Sequence, residues 1–209
     1  MADLRKLGAR SVPVVSRGTD FIYAQDLNQV AKFVELDEAV QPTLSPDVLV
    51  ERLKRILDIA ISCVQQIPHD KLQDQLPGRP RSLLSLANHI FEISAGLIKV
   101  TRGADFKGDV ATATPDIDKT VAELTVYQRE LLADLDTWWT QTDDRECKDK
   151  ITTYYGEQTL HSLLERCTWH TAQHVRQVMM LLDGLDIAPT LSLNAEDLAD
   201  LPLPEKVWD

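Results

Sequence analysis

Hydrophobic residues recur every three or four positions in four long segments of the chain, which is the spacing of one buried face of an α-helix. The first segment follows Ser45 and Pro46, residue types that favour a helix start, and it continues to Pro68. The second segment starts near Ser82 and stops by Gly103. Both segments are predicted to be amphipathic helices.

Two further helices are predicted nearer the C-terminus. The third opens at residues 114–116, Thr-Pro-Asp, and carries Ile117 in its apolar stripe. The fourth begins near Thr159 and ends at residues 183–184, where Asp-Gly is an effective C-terminal stop. Four helices with one apolar face each bury those faces most economically against one another. The sequence therefore predicts a mainly α protein built on a four-helix bundle.

The bundle is predicted to span residues 45–185. Within it, residues 150–155 are rich in β-branched and aromatic types, which predicts a short extended excursion at one end of the bundle. The tail, residues 186–209, is predicted to pack on the bundle and to be anchored by Trp208.

Residues 1–40 follow a different pattern. Two short β-type runs, residues 11–15 and 21–24, flank a turn at residues 17–20, and residues 27–36 have the spacing of a short helix. A ββα piece of this length is too small to bury a core of its own. It is predicted to be an N-terminal appendage.

The charge balance narrows the classes of partner. The chain holds 22 Lys and Arg against 33 Asp and Glu, a formal net charge of −11. This charge repels nucleic acid phosphates and anionic membrane surfaces, so neither is an expected partner. The sequence has no secretory signal pattern and no apolar run of the roughly 18 residues that a membrane span needs. Its three cysteines lack C-x-x-C spacing and suggest no disulfide framework, so we expect a cytoplasmic protein.

Two of the predicted helices carry histidines where their stripes should be apolar. His170 and His174 lie about 40° apart around the fourth helix, one turn from each other, and His89 interrupts the stripe of the second helix. Imidazole is a common ligand of divalent transition metals, and three such ligands leave coordination positions for water or substrate. The alternative, buried rings that bond only to carbonyls or carboxylates, stays open at this point.

The residues around these histidines resemble the DinB-like superfamily, the DinB/YfiT type of bundle. The resemblance rests on residues 82–89, residues 159–164 and the H-x-x-x-H segment of residues 170–178. The sequence departs from the family pattern at residues 175–177, where Val-Arg-Gln stands in place of a triplet resembling Arg-Gly-Gln.

This resemblance covers about residues 45–185, most of the chain. It implies a four-helix bundle, often dimeric, that binds a metal ion through three histidines, commonly zinc or nickel. Carried over to this sequence, the metal ligands are His89, His170 and His174.

The N-terminal piece resembles the C-terminal half of a glutaredoxin or thioredoxin-like domain. In that fold the step from Val12 to Pro13 is a cis-proline beside the active cysteine. The half that carries this cysteine is not represented in the sequence, whether through natural loss or a later start of the chain. We therefore do not expect thiol–disulfide chemistry from residues 1–40.

Several other residues are candidates for supporting roles. Cys167 lies one turn from the histidine pair, as a fourth ligand or as a small core residue. Gln128 interrupts the apolar stripe of the third helix. It either orients a histidine or contacts a ligand, or it is a polar residue at one end of the bundle. Glu92 and Glu165 are candidate acceptors or general bases. His161 is predicted to face away from the histidine pair.

Two functions are consistent with these features. Relatives implied by the resemblance include thiol-dependent transferases and isomerases, in which a metal activates a low-molecular-weight thiol toward a small electrophile. The first hypothesis is such an enzyme, with a small-molecule substrate and a metal-dependent hydrolase as a variant. The second is a metal-binding or dimerising interaction module without catalysis, with a role in stress responses as one form of it. Under both hypotheses we expect a homodimer.

Overall fold

The computed structural model describes residues 7–9, 14–24, 27–36, 42–76, 81–107 and 120–207. The chain divides into two compact units, Met1–Pro42 and Thr43–Asp209. The larger unit holds the helical bundle and the three histidines.

The smaller unit contains an antiparallel hairpin and a short helix. Strands β1 (Val14–Arg17) and β2 (Asp20–Tyr23) pair with Arg17 opposite Asp20. The turn between them places Gly18 at a φ of 63°, which glycine adopts without strain. Helix α1 (Leu27–Phe33) follows.

The predicted elements of this unit shift by a few residues. The first strand was expected at residues 11–15, but residues 11–13 lie outside the described part of the chain. Helix α1 was expected to continue to residue 36 but ends at Phe33. Glu35 takes a φ of 62°, which is not a helical conformation, and its carboxylate pairs with Arg17 at 2.7 Å.

The larger unit consists mainly of four long helices. A β-hairpin precedes the last of them, and a one-turn helix lies in the tail. The elements are α2 (Pro46–Gln65), α3 (Leu83–Thr101), α4 (Val121–Gln141), β3 (Lys150–Thr153), β4 (Gly156–Thr159), α5 (Leu160–Asp183) and α6 (Ala195–Leu198), with a single 3₁₀ turn at His69–Lys71. The prediction of a mainly α fold with a four-helix bundle is confirmed.

Helices α2 and α5 run in the same direction. Leu44, just before α2, accepts a hydrogen bond at its carbonyl from the ring of His161 near the start of α5. At the other end, the side chain of Gln66 donates to the carbonyl of Ala188, which lies beyond the end of α5. The shared direction brings the C-terminal halves of both helices to one end of the bundle.

Helices α3 and α4 run against this pair. The thiol of Cys167 on α5 lies 3.9 Å from the carbonyl oxygen of Ile93 on α3. Arg102, just after α3, forms an ion pair with Asp134 in the second half of α4 at 3.0 Å. The middle of α3 therefore lies beside the N-terminal half of α5, and His89, one turn before Ile93, lies beside rings further along α5, so the two helices are antiparallel.

Helix α3 is the most deeply buried helix of the four. Among the described residues it alone has the length and mean hydropathy, 1.3, of a candidate membrane span. However, 89% of that segment is buried inside the protein, as expected for the core helix of a bundle.

The helix ends correct the sequence prediction in two places. Helix α4 begins at Val121, not at the predicted residues 114–116, which lie outside the described residues together with Ile117. Its N-cap is Thr120, and the side chains of Thr120 and Glu123 form a reciprocal capping box. Ser45 occupies the N-cap position of α2, but its side chain makes no capping hydrogen bond.

The predicted β-prone excursion is one half of a hairpin. Strand β3 pairs with β4 in antiparallel register, and Gly156 takes a φ of 123° at the start of β4. The second strand was not predicted, because Gly-Glu-Gln-Thr has little β-propensity of its own. Its pairing with β3 supplies the structure.

The tail lies along the bundle as far as it is described. Helix α6 places Asp197, which is buried, beside the guanidinium of Arg55 on α2. Leu201 is also buried. The predicted anchor, Trp208, lies outside the described residues.

Candidate metal centre

The antiparallel packing of α3 and α5 brings the three predicted histidines together. His170 and His174 lie one turn apart on α5, and His89 lies on the neighbouring stretch of α3. Their ring centroids are 5.6 Å (His89 to His170), 5.0 Å (His89 to His174) and 4.7 Å (His170 to His174) apart. One potential ligand nitrogen from each ring lies within 4.8 Å of the other two.

The closest approach is between the two rings of α5. The Nε2 atoms of His170 and His174 are 3.0 Å apart. Two nitrogens bound to one ion at about 2.1 Å would be separated by about 3.4 Å in tetrahedral geometry, and by about 3.0 Å at neighbouring octahedral positions. The spacing therefore fits a shared ion in either geometry. It does not by itself select zinc or nickel.

The environment keeps the rings in the form that binds metals. His89 is 3% exposed, and burial, followed by the charges of His174 and Arg81, lowers the pKa of His89 to about 3. Burial and the same kind of repulsion hold the pKa of His170 well below its usual value. Both rings are neutral near pH 7, so each has a free nitrogen lone pair.

A contact from the same helix orients His174. Its Nδ1 lies 2.7 Å from Oε1 of Gln177, which is buried. Metal-bound histidines usually bond through the second ring nitrogen to an acceptor that fixes the ring. Gln177 provides such an acceptor. In the sequence, Gln177 stands out only as part of the triplet at residues 175–177.

The alternative of Cys167 as a fourth ligand is not supported. The side chain is fully buried, and its thiol faces the carbonyl of Ile93. Burial raises the pKa of this thiol to about 12, so it stays protonated. Cys167 is a core residue.

The two candidate carboxylates bond away from the histidines. Oε1 of Glu92 accepts a hydrogen bond from the hydroxyl of Tyr127 at 3.4 Å, and Oε1 of Glu165 accepts one from the backbone N–H of Thr43 at 3.3 Å. In these contacts neither carboxylate bonds to a ring of the cluster. His161, as predicted, is apart from the cluster and bonds to the carbonyl of Leu44.

Gln128 is the polar residue among the buried positions of α4. It is fully buried on α4, and neither its amide oxygen nor its amide nitrogen has a hydrogen-bond partner among the described residues. The contact between Tyr127 and Glu92 places this part of α4 near the middle of α3.

The fold and the site together define a four-helix bundle with three converging histidines. The family model of the DinB superfamily matches residues 37–178 of the chain. The protein belongs to this superfamily, which is a metal-binding family, and its three histidines are able to hold a metal ion. Comparison with curated proteins gives no match.

Proposed function

We propose that the protein binds one divalent metal ion through His89, His170 and His174, and that it uses this centre to activate a small thiol. The observation that carries the proposal is the convergence of three ring nitrogens within 4.8 Å where the middle of α5 packs against α3. Imidazole nitrogens are common ligands of divalent metals, and one cation can bind a nitrogen from each of the three rings at once.

The three histidines differ in exposure. His89 is buried, whereas His170 and His174 are half-buried, which supports an approach of a small molecule from their side. Three protein ligands leave at least one coordination position free. A bound divalent ion supplies the charge that lowers the pKa of a coordinated thiol or water into the neutral range.

The proposed reaction is transfer of a low-molecular-weight thiol to a small electrophile, or isomerisation through such an adduct. The thiol loses its proton to solvent, and its sulfur forms a bond to the electrophilic carbon. With an epoxide, the carbon–oxygen bond breaks and the ring oxygen takes up a proton. The histidines hold their Nε2 or Nδ1 lone pairs in place throughout. A hydrolase that uses water in place of the thiol is the variant of this proposal.

A second candidate function is a module that binds the metal ion and dimerises but catalyses no reaction. The specific observation in its favour is that Glu92 and Glu165 bond to Tyr127 and to the backbone of Thr43. No general base at the histidines has therefore been identified among the described residues.

The experiment compares conjugation rates of a generic thiol with an epoxide and with a chlorinated aromatic. The protein is stripped with a chelator and reloaded separately with zinc and with nickel. Enzymatic function predicts metal-dependent turnover that His170→Ala abolishes and that His161→Ala, the control on the same helix, retains. Tight metal binding with turnover equal to that of the stripped protein would favour the second function. An absence of metal binding would contradict both.

A further inference from the structure

The C-terminal segment, residues 204–207, bonds to the helix that carries two of the histidines. Gln173 donates from Nε2 to the carbonyl of Val207 at 2.8 Å. Arg176 donates to the carbonyls of Pro204 at 2.9 Å and Glu205 at 3.1 Å. These contacts lie one turn or less from His174.

Gln177 links this segment to the cluster itself. Its Nε2 donates to the carbonyl of Val207 at 3.1 Å, and its Oε1 lies 2.7 Å from Nδ1 of His174. The side chain is 7% exposed, so water does not readily replace either partner. A single buried amide therefore joins the tail to one ring of the cluster.

The donor and acceptor roles along this link are forced. The carbonyl of Val207 only accepts, so it faces the NH₂ end of Gln177. The amide oxygen is left for His174, and because an amide oxygen only accepts, Nδ1 of His174 must carry a proton. In a neutral ring the other nitrogen, Nε2, then has a free lone pair. That nitrogen is the one that lies 3.0 Å from Nε2 of His170.

We propose that residues 204–207 are part of the metal centre: through Gln177 they fix the tautomer of His174, with its Nε2 lone pair directed into the cluster. Gln177 is thus a positioning residue and Val207 its anchor. The inference rests on the proposed metal centre. It concerns a segment beyond the match to the family model, which ends at residue 178.

Without this link, Gln177 could turn its NH₂ group toward His174. Nδ1 would then accept, and the proton would move to Nε2, where it competes with a metal ion. Outer contacts of this kind are worth about tenfold to a hundredfold in metal affinity. The expected effect is therefore a weaker site in a protein that still folds.

The first measurement is the ¹⁵N spectrum of the imidazole rings in the metal-free protein near neutral pH. The full chain should show His174 protonated at Nδ1. Gln177→Met, which is close in shape but has no amide, should show a mixture of tautomers or the Nε2-protonated form. Removal of residues 204–209 should do the same. An unchanged His174 tautomer in both variants would overturn the inference, whether or not a metal binds.

The second measurement is the affinity for Co²⁺, followed by its visible absorption in competition with a chelator. Gln177→Met and the shortened chain should each bind about tenfold to a hundredfold more weakly than the full chain. A loss in Gln177→Met alone would overturn the role of the tail and leave Gln177 acting by itself. If the full chain binds no metal, the proposed function fails, and the ring spectrum still decides the tautomer.

If the shortened chain does not fold, a double variant that releases the tail without removing it takes its place. The double variant Gln173→Met with Arg176→Met removes the other side-chain contacts to residues 204–207 and leaves Gln177 intact. A weaker Co²⁺ site and a changed His174 tautomer in this variant would support the coupling. Wild-type values for both, with the tail shown by proteolysis to be released, would contradict it.

Discussion

The start and the middle of helix α5 use histidine in different ways. Near its start, His161 is half-buried and bonds through Nε2 to the carbonyl of Leu44 at 2.8 Å. Near its middle, His170 and His174 turn their Nε2 atoms toward each other at 3.0 Å, with His89 of α3 beside them. The same helix therefore carries one histidine bonded to the backbone and two histidines whose rings face each other.

This difference distinguishes a histidine with a structural role from histidines that are able to form a metal site. The ring of His161 donates to an oxygen that can only accept, so its hydrogen bond is complete without a ligand. In the cluster, at most one proton can lie between the two Nε2 atoms, and the third ring adds another lone pair to the same small volume. Such an arrangement is stable with neutral rings and a shared cation. Converging acceptors, more than burial alone, mark the site.

The strongest test of this contrast replaces one histidine at the start of α5 and one at its middle. His170→Ala should lower metal affinity on the order of a hundredfold or more, because each ligand carries about 3–4 kcal/mol of the binding energy of a typical zinc site. His161→Ala should leave the affinity unchanged and cost about 1 kcal/mol of stability. Metal titration and urea unfolding measure the two effects. Equal losses of metal affinity in both variants would mean that the cluster is not the site.

The second prediction concerns the stability of the metal-free protein in acid. In the metal-free protein, burial lowers the pKa of His89 to about 3 and holds that of His170 well below its usual value. The unfolded chain regains a pKa of about 6.5 for both, so below that pH it binds more protons than the folded chain. The free energy of unfolding should therefore fall as the pH drops below about 6.5, by up to about 1.4 kcal/mol per pH unit for each ring.

The control for this prediction is a variant that removes one titrating ring. Urea unfolding between pH 7 and pH 5, with a chelator present, should give a shallower loss of stability in His89→Asn than in the unchanged protein. His161→Ala should keep the full slope. Parallel curves for His89→Asn and the unchanged protein would show that His89 is not held neutral by the fold.

Much of the fold and the histidine cluster followed from periodicity. The spacing of His170 and His174 within one apolar stripe, and His89 within another, indicated that all three face the core. Packing two antiparallel helices then brings such stripes together. The predicted start of the third helix was wrong, although Thr120 and Glu123 stand three residues apart as a capping box requires. The Thr-Pro-Asp at residues 114–116 is an equally strong helix-start signal, and the sequence alone does not rank the two.

The parts that could not be predicted depend on contacts between distant residues. No pattern in the sequence connects Gln177 with Val207, because the link exists only once the tail folds back along α5. Cys167 and Glu92 were plausible partners of the histidines by spacing alone. Their side chains instead meet a carbonyl and a tyrosine from other elements, which helical spacing does not reveal.

The smallest expected effect concerns Gln128, which is either a purely structural residue or a member of the histidine cluster. It is fully buried, and its amide has no partner among the described residues. If it is simply unsatisfied, Gln128→Leu should raise the free energy of unfolding by about 1–3 kcal/mol, since an unpaired buried amide carries that penalty. The melting temperature should rise by roughly 2–4 °C for each kcal/mol.

The matched control is Gln173→Leu, which removes a buried amide that is bonded to Val207 and should therefore destabilise the protein. If Gln128→Leu also destabilises, or weakens metal or thiol binding, then Gln128 has a bound partner and belongs with the histidine cluster.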